Sequence, residues 1–420
     1  MFIKYRLRLK HAILVTFGIF LLFFLILALQ SQGGTGFYTD DDDQLVKAAR
    51  QLEVLPDIYQ KELNEEEKAF LKLDLSTLEN NPKSNWLSQR LTSRRDVIVE
   101  QNRVLHQIFA RIIGPQIKKA ILIVKQDWGN LGDHLVSYSE LKMLNYYNID
   151  LIEVCYWPSK HREKPCDFSG YSQNDPNLAI FITGGGYMGG TPLRNYKTSP
   201  ILRNIRNAVD HFVNNRIIFF PQGKCNNFEE ENLSLYHKSV ANHKDVYVML
   251  RDQCMYEVSK RTFVNAKVLL SPDIAFFYGP VRLNLDPTFD IIWMHRKDTE
   301  KAVIHVEPVK MEGAKILNGD WEDDSLFMKP PVDMDGEVSP EYHAMMALSA
   351  MIHLSRGKIV VTDRLHGHLM SVLLNKQNIA INTPNKKIQC YIDTWHKSLK
   401  LVHYAEDHGK AKEIAMKLLN

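Results

Sequence analysis

The sequence predicts an α/β protein: two Rossmann-like halves with a cleft between them, preceded by one transmembrane helix and a helical stem. Three observations carry this. From Lys119 onward, short apolar runs alternate with helical stretches, the pattern of parallel sheets covered on both faces. A turn-rich break from Tyr278 to Phe289, holding Gly279, Pro280 and Pro287, divides those units into two sets. Near the N-terminus, Ala12 to Leu29 form 18 consecutive uncharged residues.

That uncharged run comes first in the chain. As a helix it is about 27 Å long, close to the hydrocarbon thickness of a bilayer. Lys4, Arg6, Arg8 and Lys10 precede it, and Asp40 to Asp43 follow it. Basic flanks stay cytosolic. The expected layout is therefore a cytosolic tail at 1–11, a signal-anchor through the membrane at 12–30, and a luminal remainder, in single-pass type II topology. The run has no polar face, which separates it from a buried core helix. Its length favours an uncleaved anchor, although Ser31-Gln32-Gly33 loosely resembles a cleavage exit. Residues 31–115 read as a luminal stem, with helical stretches at Gln44–Leu55, Asp57–Lys72 and Ser88–Ile113.

The charge balance excludes a general nucleic-acid binder. Lys and Arg number 52 against 49 Asp and Glu, a net charge of +3 over 420 residues. The four tail cations account for all of that excess, so nothing in the balance suggests the basic patch on the folded part that such a binder needs. The five cysteines, Cys155, Cys166, Cys225, Cys254 and Cys390, show no metal-ligand spacing. Cys155 and Cys166 are close enough in sequence to bridge a short loop. Asn232-Leu233-Ser234 is the one glycosylation acceptor pattern.

The first half is expected over 116–280. Its strands are Ala120–Lys125, Asp150–Tyr156, Leu178–Thr183, Arg216–Phe220, Val246–Leu250 and Lys267–Leu270. Its helices are Asp133–Tyr147, Ile201–Asn214, Glu229–Asn242 and Gln253–Arg261. The second half is expected over 281–420. Its strands are Ile291–Met294, Val303–Val306, Lys358–Thr362 and Asn378–Ile381, and a helix from Ser339 to Ser355 has Ser339 as N-cap and Pro340 in its first turn.

Ligands of open parallel sheets bind at the carboxyl ends of strands, and several ends here carry unusual residues. The first strand leads to Gly129-Asn130-Leu131-Gly132-Asp133-His134, a tight turn into a helix whose first N–H groups favour an anion. Asn130 and Gly132 are candidate donor contacts; Asp133 is either an N-cap or a base. The third strand leads to Gly184-Gly185-Gly186-Tyr187-Met188-Gly189-Gly190. Five glycines in seven residues form a backbone surface against which a ligand can lie. Arg251 ends the fifth strand and either binds an anion or pairs with Asp252 at the surface. His295 and Arg296 follow a strand in the second half. The most specific stretch is Asp363-Arg364-Leu365-His366-Gly367-His368, between a buried strand and an apolar helix over Leu369–Leu374. It combines a fixed cation, a titratable imidazole and helix N–H groups. His134 and His368 are weaker candidates. His343 and His353 read as packing residues.

Together these loops resemble the polysaccharide pyruvyl transferase family. The matching pieces are Gly129-Asn-Leu-Gly-Asp133, Thr183-Gly-Gly-Gly186, Phe220-Pro-Gln-Gly223, Leu250-Arg-Asp252, Ser271-Pro-Asp273 and Asp363-Arg-Leu-His-Gly367, in the family's order. With its anchor and stem, the chain is similar to the fungal Golgi members. The resemblance implies a GT-B-like two-domain fold, phosphoenolpyruvate as donor, and a galactose-containing glycan acceptor that receives a pyruvate ketal. It carries the donor site onto Arg364, Leu365 and His366, with Arg251 as the upstream donor arginine, and with the anchor it implies a luminal site at the Golgi membrane. Protonation of the enol carbon in such a reaction makes His366 the candidate acid. No His/Asp/Cys cluster in the sequence calls for a metal, and no cofactor is expected. Two other readings share the fold: a glycosyltransferase using a nucleotide sugar, and a non-catalytic glycan-binding membrane protein.

Overall fold

A computed structural model describes residues 94–125, 130–156, 166–186, 200–223, 240, 242–279, 281, 283, 285–297, 308–321, 323 and 340–420. The expected tail, anchor, first two stem helices, glycosylation pattern, Cys225, strand Val303–Val306 and Ser339 cap lie outside them, as does nearly all of Glu229–Asn242. Among the described residues, no helix is long and apolar enough to cross a membrane.

The described chain begins with α1 (Arg94–Ile113). The first set follows as β1 (Lys119–Lys125), α2 (Leu131–Tyr146), β2 (Asp150–Tyr156), β3 (Leu178–Ile182), α3 (Pro200–His211), β4 (Arg216–Gln222), β5 (Val246–Leu250), α4 (Gln253–Thr262) and β6 (Lys267–Leu270), closed by a 3₁₀ turn at Ile274–Tyr278. The second set is β7 (Phe289–Met294), β8 (Ile316–Gly319), α5 (Pro340–Ser355), β9 (Gly357–Thr362), α6 (Leu365–Leu373), β10 (Gln377–Ile381), α7 (Lys387–Tyr391), a π turn at Ile392–His396, β11 (Val402–Ala405) and α8 (His408–Leu419). Both sheets are wholly parallel, in the orders β2-β1-β3-β4-β5-β6 and β11-β10-β9-β7-β8. This mixed α/β architecture with two parallel sheets matches the Rossmann-like, GT-B-like expectation.

Strand alternation sorts the core into layers. Ile121, Ile180, Ile217 and Val248 face outward into one apolar cluster. Their neighbours Leu122, Phe181, Ile218 and Met249 face inward. In the second sheet, Ile291, Ile359 and Ile379 pack outward with Ala411 and Ala415 of α8. Ile292, Val360 and Ala380 join the same inner cluster as the first sheet. That shared layer, filled by α1, α2, α5 and α6, binds the halves to each other.

α1 corrects the expected stem boundary at residue 115. It is not a spacer: Val97, Ile98, Val104, Leu105, Ile108, Phe109, Ile112 and Ile113 are all buried in the shared layer. Asn102 also donates to Phe276 O at 2.9 Å. Burying one such side chain contributes about 1.5–3 kcal/mol, so the helix is worth as much as a domain's whole stability of about 5–15 kcal/mol. A chain starting at Ser93 should therefore melt cooperatively, and one starting at Gln116 should not fold. Circular dichroism melts of the two truncates check this; a sharp transition in the shorter one would contradict it.

Cys155 pairs with Cys166 as expected, and Cys254 with Cys390 in addition. The strands β8 and β11, and the helices α7 and α8, are additions to the sequence reading.

Candidate active site

In each sheet the chain steps off one side of a strand and returns on the other. The first sheet reverses between β1 and β3, the second between β7 and β9. Such switch points leave a crevice outside the strand ends. They are where Asn130–Asp133 and Thr183–Gly186 emerge in the first half, and His295–Arg296 and Asp363–His366 in the second.

In the first half, Asn130 is the N-cap of α2, its side chain accepting from Gly132 N at 3.2 Å. Asn130 Nδ2 donates to Asp133 Oδ2 at 2.8 Å. Asp133 is thus a member of the capping arrangement at the third helical position, not the cap itself. The glycine loop is anchored by Glu140 of α2, a fully buried carboxylate that accepts from Gly184 N at 2.6 Å and from Thr183 Oγ1 at 2.9 Å. Gly185 has φ +137°, a conformation side chains resist, and its carbonyl accepts from Gly223 N at 2.8 Å. At the end of β5, Arg251 Nη1 donates to Asp273 Oδ2 at 2.7 Å, with both groups buried. Of the two readings of Arg251, the surface pairing with Asp252 is not the one that forms. Asp252 instead caps α4, accepting from Met255 N at 2.9 Å. Burial pushes its carboxyl up to about 6. Asp273 moves the opposite way: burial alone would raise it, but Arg251, and after it His366, hold it well below the usual carboxylate range. Gly223 keeps this corner open, because a Cβ there would lie 2.5 Å from Arg251 Nε.

In the second half, Arg364 is buried under Trp321, its guanidinium carbon 4.9 Å from the ring centroid. Its Nε and Nη2 donate to the two oxygens of Asp320 at 2.5 and 2.6 Å. The two-point edge of the Arg364 guanidinium is thus engaged by Asp320. Leu365 packs into the shared apolar layer. Arg296 donates its backbone N–H to Asp363 Oδ1 at 2.8 Å.

His366 is where the halves meet. Its Nε2 stands 3.7 Å from Asp273 Oδ2 and has no hydrogen-bond partner. On the other side, a Cβ on Gly132 would fall 2.6 Å from both His366 Cβ and Nδ1. Ring, glycine, carboxylate and Arg251 therefore form one contiguous group, the ring and glycine from the two switch points and Arg251 and Asp273 from the ends of β5 and β6.

Two further residues, absent from the sequence candidates, complete it. Asp273 sits just past β6, where the strand-end rule could have found it, and Ser271-Pro-Asp273 was among the matching motifs. Lys387 had no signal; its Nζ is 3.7 Å from a Cβ position on Gly186. It opens a segment that crosses to the first half. Tyr391 OH accepts from Asp273 N, Trp395 Nε1 donates to Arg251 O at 2.8 Å, and Thr394 Oγ1 accepts from Gln253 N at 3.0 Å.

The structure removes two candidates from this group. His134 Nδ1 lies 2.8 Å from His343 Nδ1, pairing α2 with α5 away from His366. His368 belongs to a buried chain of neutral rings. Its Nδ1 donates to Asn378 Oδ1 at 2.7 Å, its Nε2 accepts from His396 Nδ1 at 2.9 Å, and His396 Nε2 accepts from Gln101 at 3.1 Å. Burial pushes His368 down from 6.5 to about 4 and holds His396 well below 6.5. Such rings stabilise the fold above pH 6.5, and that stability is lost as pH falls, because the unfolded chain takes up the protons first. Asp252, raised above its unfolded value of 3.8, acts in the opposite sense below pH 6, so one carboxyl opposes two imidazoles. The melting temperature should fall between pH 6.5 and 4.5; a flat profile by scanning fluorimetry would contradict this.

A histidine, an arginine and a carboxylate gathered from strand ends of two parallel sheets form the kind of site found in α/β enzymes. The sequence pattern of the family described as Polysaccharide pyruvyl transferase matches residues 130–385, and the chain belongs to that family. Pyruvyl transferase 1 of Schizosaccharomyces pombe is 28% identical over 287 residues, covering 66% of this chain and 70% of that protein. EpsO of Bacillus subtilis, a pyruvyl transferase by provisional name, is 24% identical over 336 residues, covering 76% of this chain and 94% of its own. A solved structure of an uncharacterized Klebsiella pneumoniae protein, at 15% identity and TM-score 0.46, covers 71% of this chain and 96% of that one; it is too distant to bear on the argument. Membership supports pyruvyl transfer to a glycan as the activity.

Proposed function

We propose that the chain transfers the pyruvyl group of phosphoenolpyruvate onto two hydroxyls of a sugar, a terminal galactose of a glycan, closing a cyclic ketal. The observation that carries this is His366, whose ring lies where strand-end loops of the two sheets meet, Nε2 toward Asp273 and Nδ1 toward Gly132, with Arg251 buried on the same carboxylate. The donor brings a phosphate and a carboxylate. Arg251, Lys387 and the first N–H groups of α2 and α6 are the cationic and donating groups around the junction.

In the first step His366 gives a proton to the methylene carbon. The double-bond electrons form the C–H bond, and the adjacent carbon becomes oxocarbenium-like. A sugar hydroxyl attacks that carbon and returns its proton to the ring. The second hydroxyl then displaces phosphate, which leaves with the bonding electron pair and takes up that hydroxyl's proton. Proton donor and cations come from the chain itself, so phosphoenolpyruvate is a co-substrate and no metal or cofactor enters the proposal. Arg364 is paired with Asp320, and direct contact with the donor would require Asp320 to release it.

The proposal includes a Golgi-membrane location with the site in the lumen, supported by the basic tail and the apolar run at 12–30. The test is mass spectrometry of β-galactosides incubated with the full chain and phosphoenolpyruvate. The expected product has gained one pyruvate less one water. Phosphate release without adduct, or sugar transfer from a nucleotide sugar, would overturn the proposal.

A further inference from the structure

We propose that Asp273 is the positioning residue that fixes the tautomer of His366, so that Nδ1, on the Gly132 side, is the nitrogen that gives and takes the proton. The inference rests on the acid role of His366 and adds which atom acts and what orients it. Nε2 faces the Asp273 carboxylate at 3.7 Å, and Nδ1 faces the start of α2. A carboxylate on one ring nitrogen favours a hydrogen there. It leaves the other nitrogen to exchange protons with whatever lies at the junction.

Asp273 is itself immobilised. Arg251 Nη1 donates to the oxygen that faces the ring, Ala275 N donates to Oδ1 at 2.9 Å, and its backbone N–H is bound by Tyr391 OH. The carboxylate therefore cannot swing toward substrate, and it reaches the reaction only through the ring. The 3.7 Å gap is slightly long for a hydrogen bond, as such pairs often are without substrate.

The cycle balances. The imidazolium passes the Nδ1 proton to carbon and becomes the neutral Nε2–H form, which Asp273 stabilises. The Nδ1 lone pair then accepts the proton of the attacking hydroxyl, and the imidazolium is restored.

The experiment uses the full chain in detergent micelles with ¹⁵N-labelled histidine and no ligand, the His366 signal being assigned by its loss in His366→Gln. The neutral ring is expected as Nε2–H in the wild type and as a tautomer mixture in Asp273→Asn. An Nδ1–H ring in the wild type overturns the proposal, even if Asp273→Asn does not fold. The second arm is a kinetic cycle. Asp273→Asn should lower kcat by about 10², and it should lower kcat no further in the His366→Gln background. Losses that multiply would mean that Asp273 acts through the fold or through Arg251, and would overturn the proposal. The tautomer arm needs no substrate, so it can fail while the phosphoenolpyruvate reading stands, and the reverse.

Discussion

His366→Gln is expected to lower turnover by a factor of about 10² to 10⁴ while leaving the melting temperature and phosphoenolpyruvate binding near wild type. The ring is 8% exposed, yet its Nε2 has no hydrogen-bond partner, so replacing it breaks no buried hydrogen bond at that atom. Glutamine has similar bulk and polarity but cannot deliver a proton at neutral pH. Arg251 and Lys387 stay in place, so the donor's charges keep their partners. If the ring instead held the loop together, melting temperature, donor affinity and turnover would fall in step. Measuring all three on one preparation decides between the two. Near-normal turnover in a stable variant would end the acid role.

The fold was legible where an apolar run stands between polar turns. Val246–Leu250, buried along its whole length, has the observed boundaries, because a strand buried on both faces reads as a continuous apolar run; the edge strands Asp150–Tyr156 and Lys267–Leu270 were marked by their shorter aliphatic runs between polar turns. The missed strands lack such a run. Ile316–Gly319 and Val402–Ala405 have four residues each, end or interleave with polar groups, and lie at the two edges of the second sheet. α1 was found as a helix but given the wrong task. Its apolar spacing showed one buried face, and no local signal said that the face lies between two sheets formed much later in the chain.

The site was legible at the level of loops and not of partners. Strand-end glycines, Arg251 and His366 followed from one rule about parallel sheets. What the rule could not supply is which oppositely charged group each residue meets. Arg364 meets Asp320 and Arg251 meets Asp273, contacts spanning 44 and 22 positions. Asp320 follows β8, a strand the periodicity did not reveal, so its partner was invisible as well. His368 carried the same company as His366 in sequence. Two helical positions turn it from the junction into the buried chain with Asn378 and His396.

Gly132→Ala should cut turnover by about 10² while the protein still folds. Alanine is the better helix former, by about 1 kcal/mol, and the position sits in the first turn of α2, so local propensity favours the change. The steric term opposes it. The new Cβ would lie 2.6 Å from His366 Cβ and Nδ1 and 2.8 Å from Cγ. Cβ is fixed to the backbone, so no rotamer change removes the first clash; α2 and α6 must part. Both are seated in the shared apolar layer, where such overpacking costs about 1–3 kcal/mol. The melting temperature should drop by only a few degrees in a chain of this size. A displacement on the order of 1 Å at the reacting group is enough for the 10² loss. Gly186→Ala is the contrast, since a Cβ there meets nothing closer than 3.7 Å; its melting temperature should not move. Wild-type turnover in Gly132→Ala would show that the contact between α2 and His366 does not set the catalytic geometry.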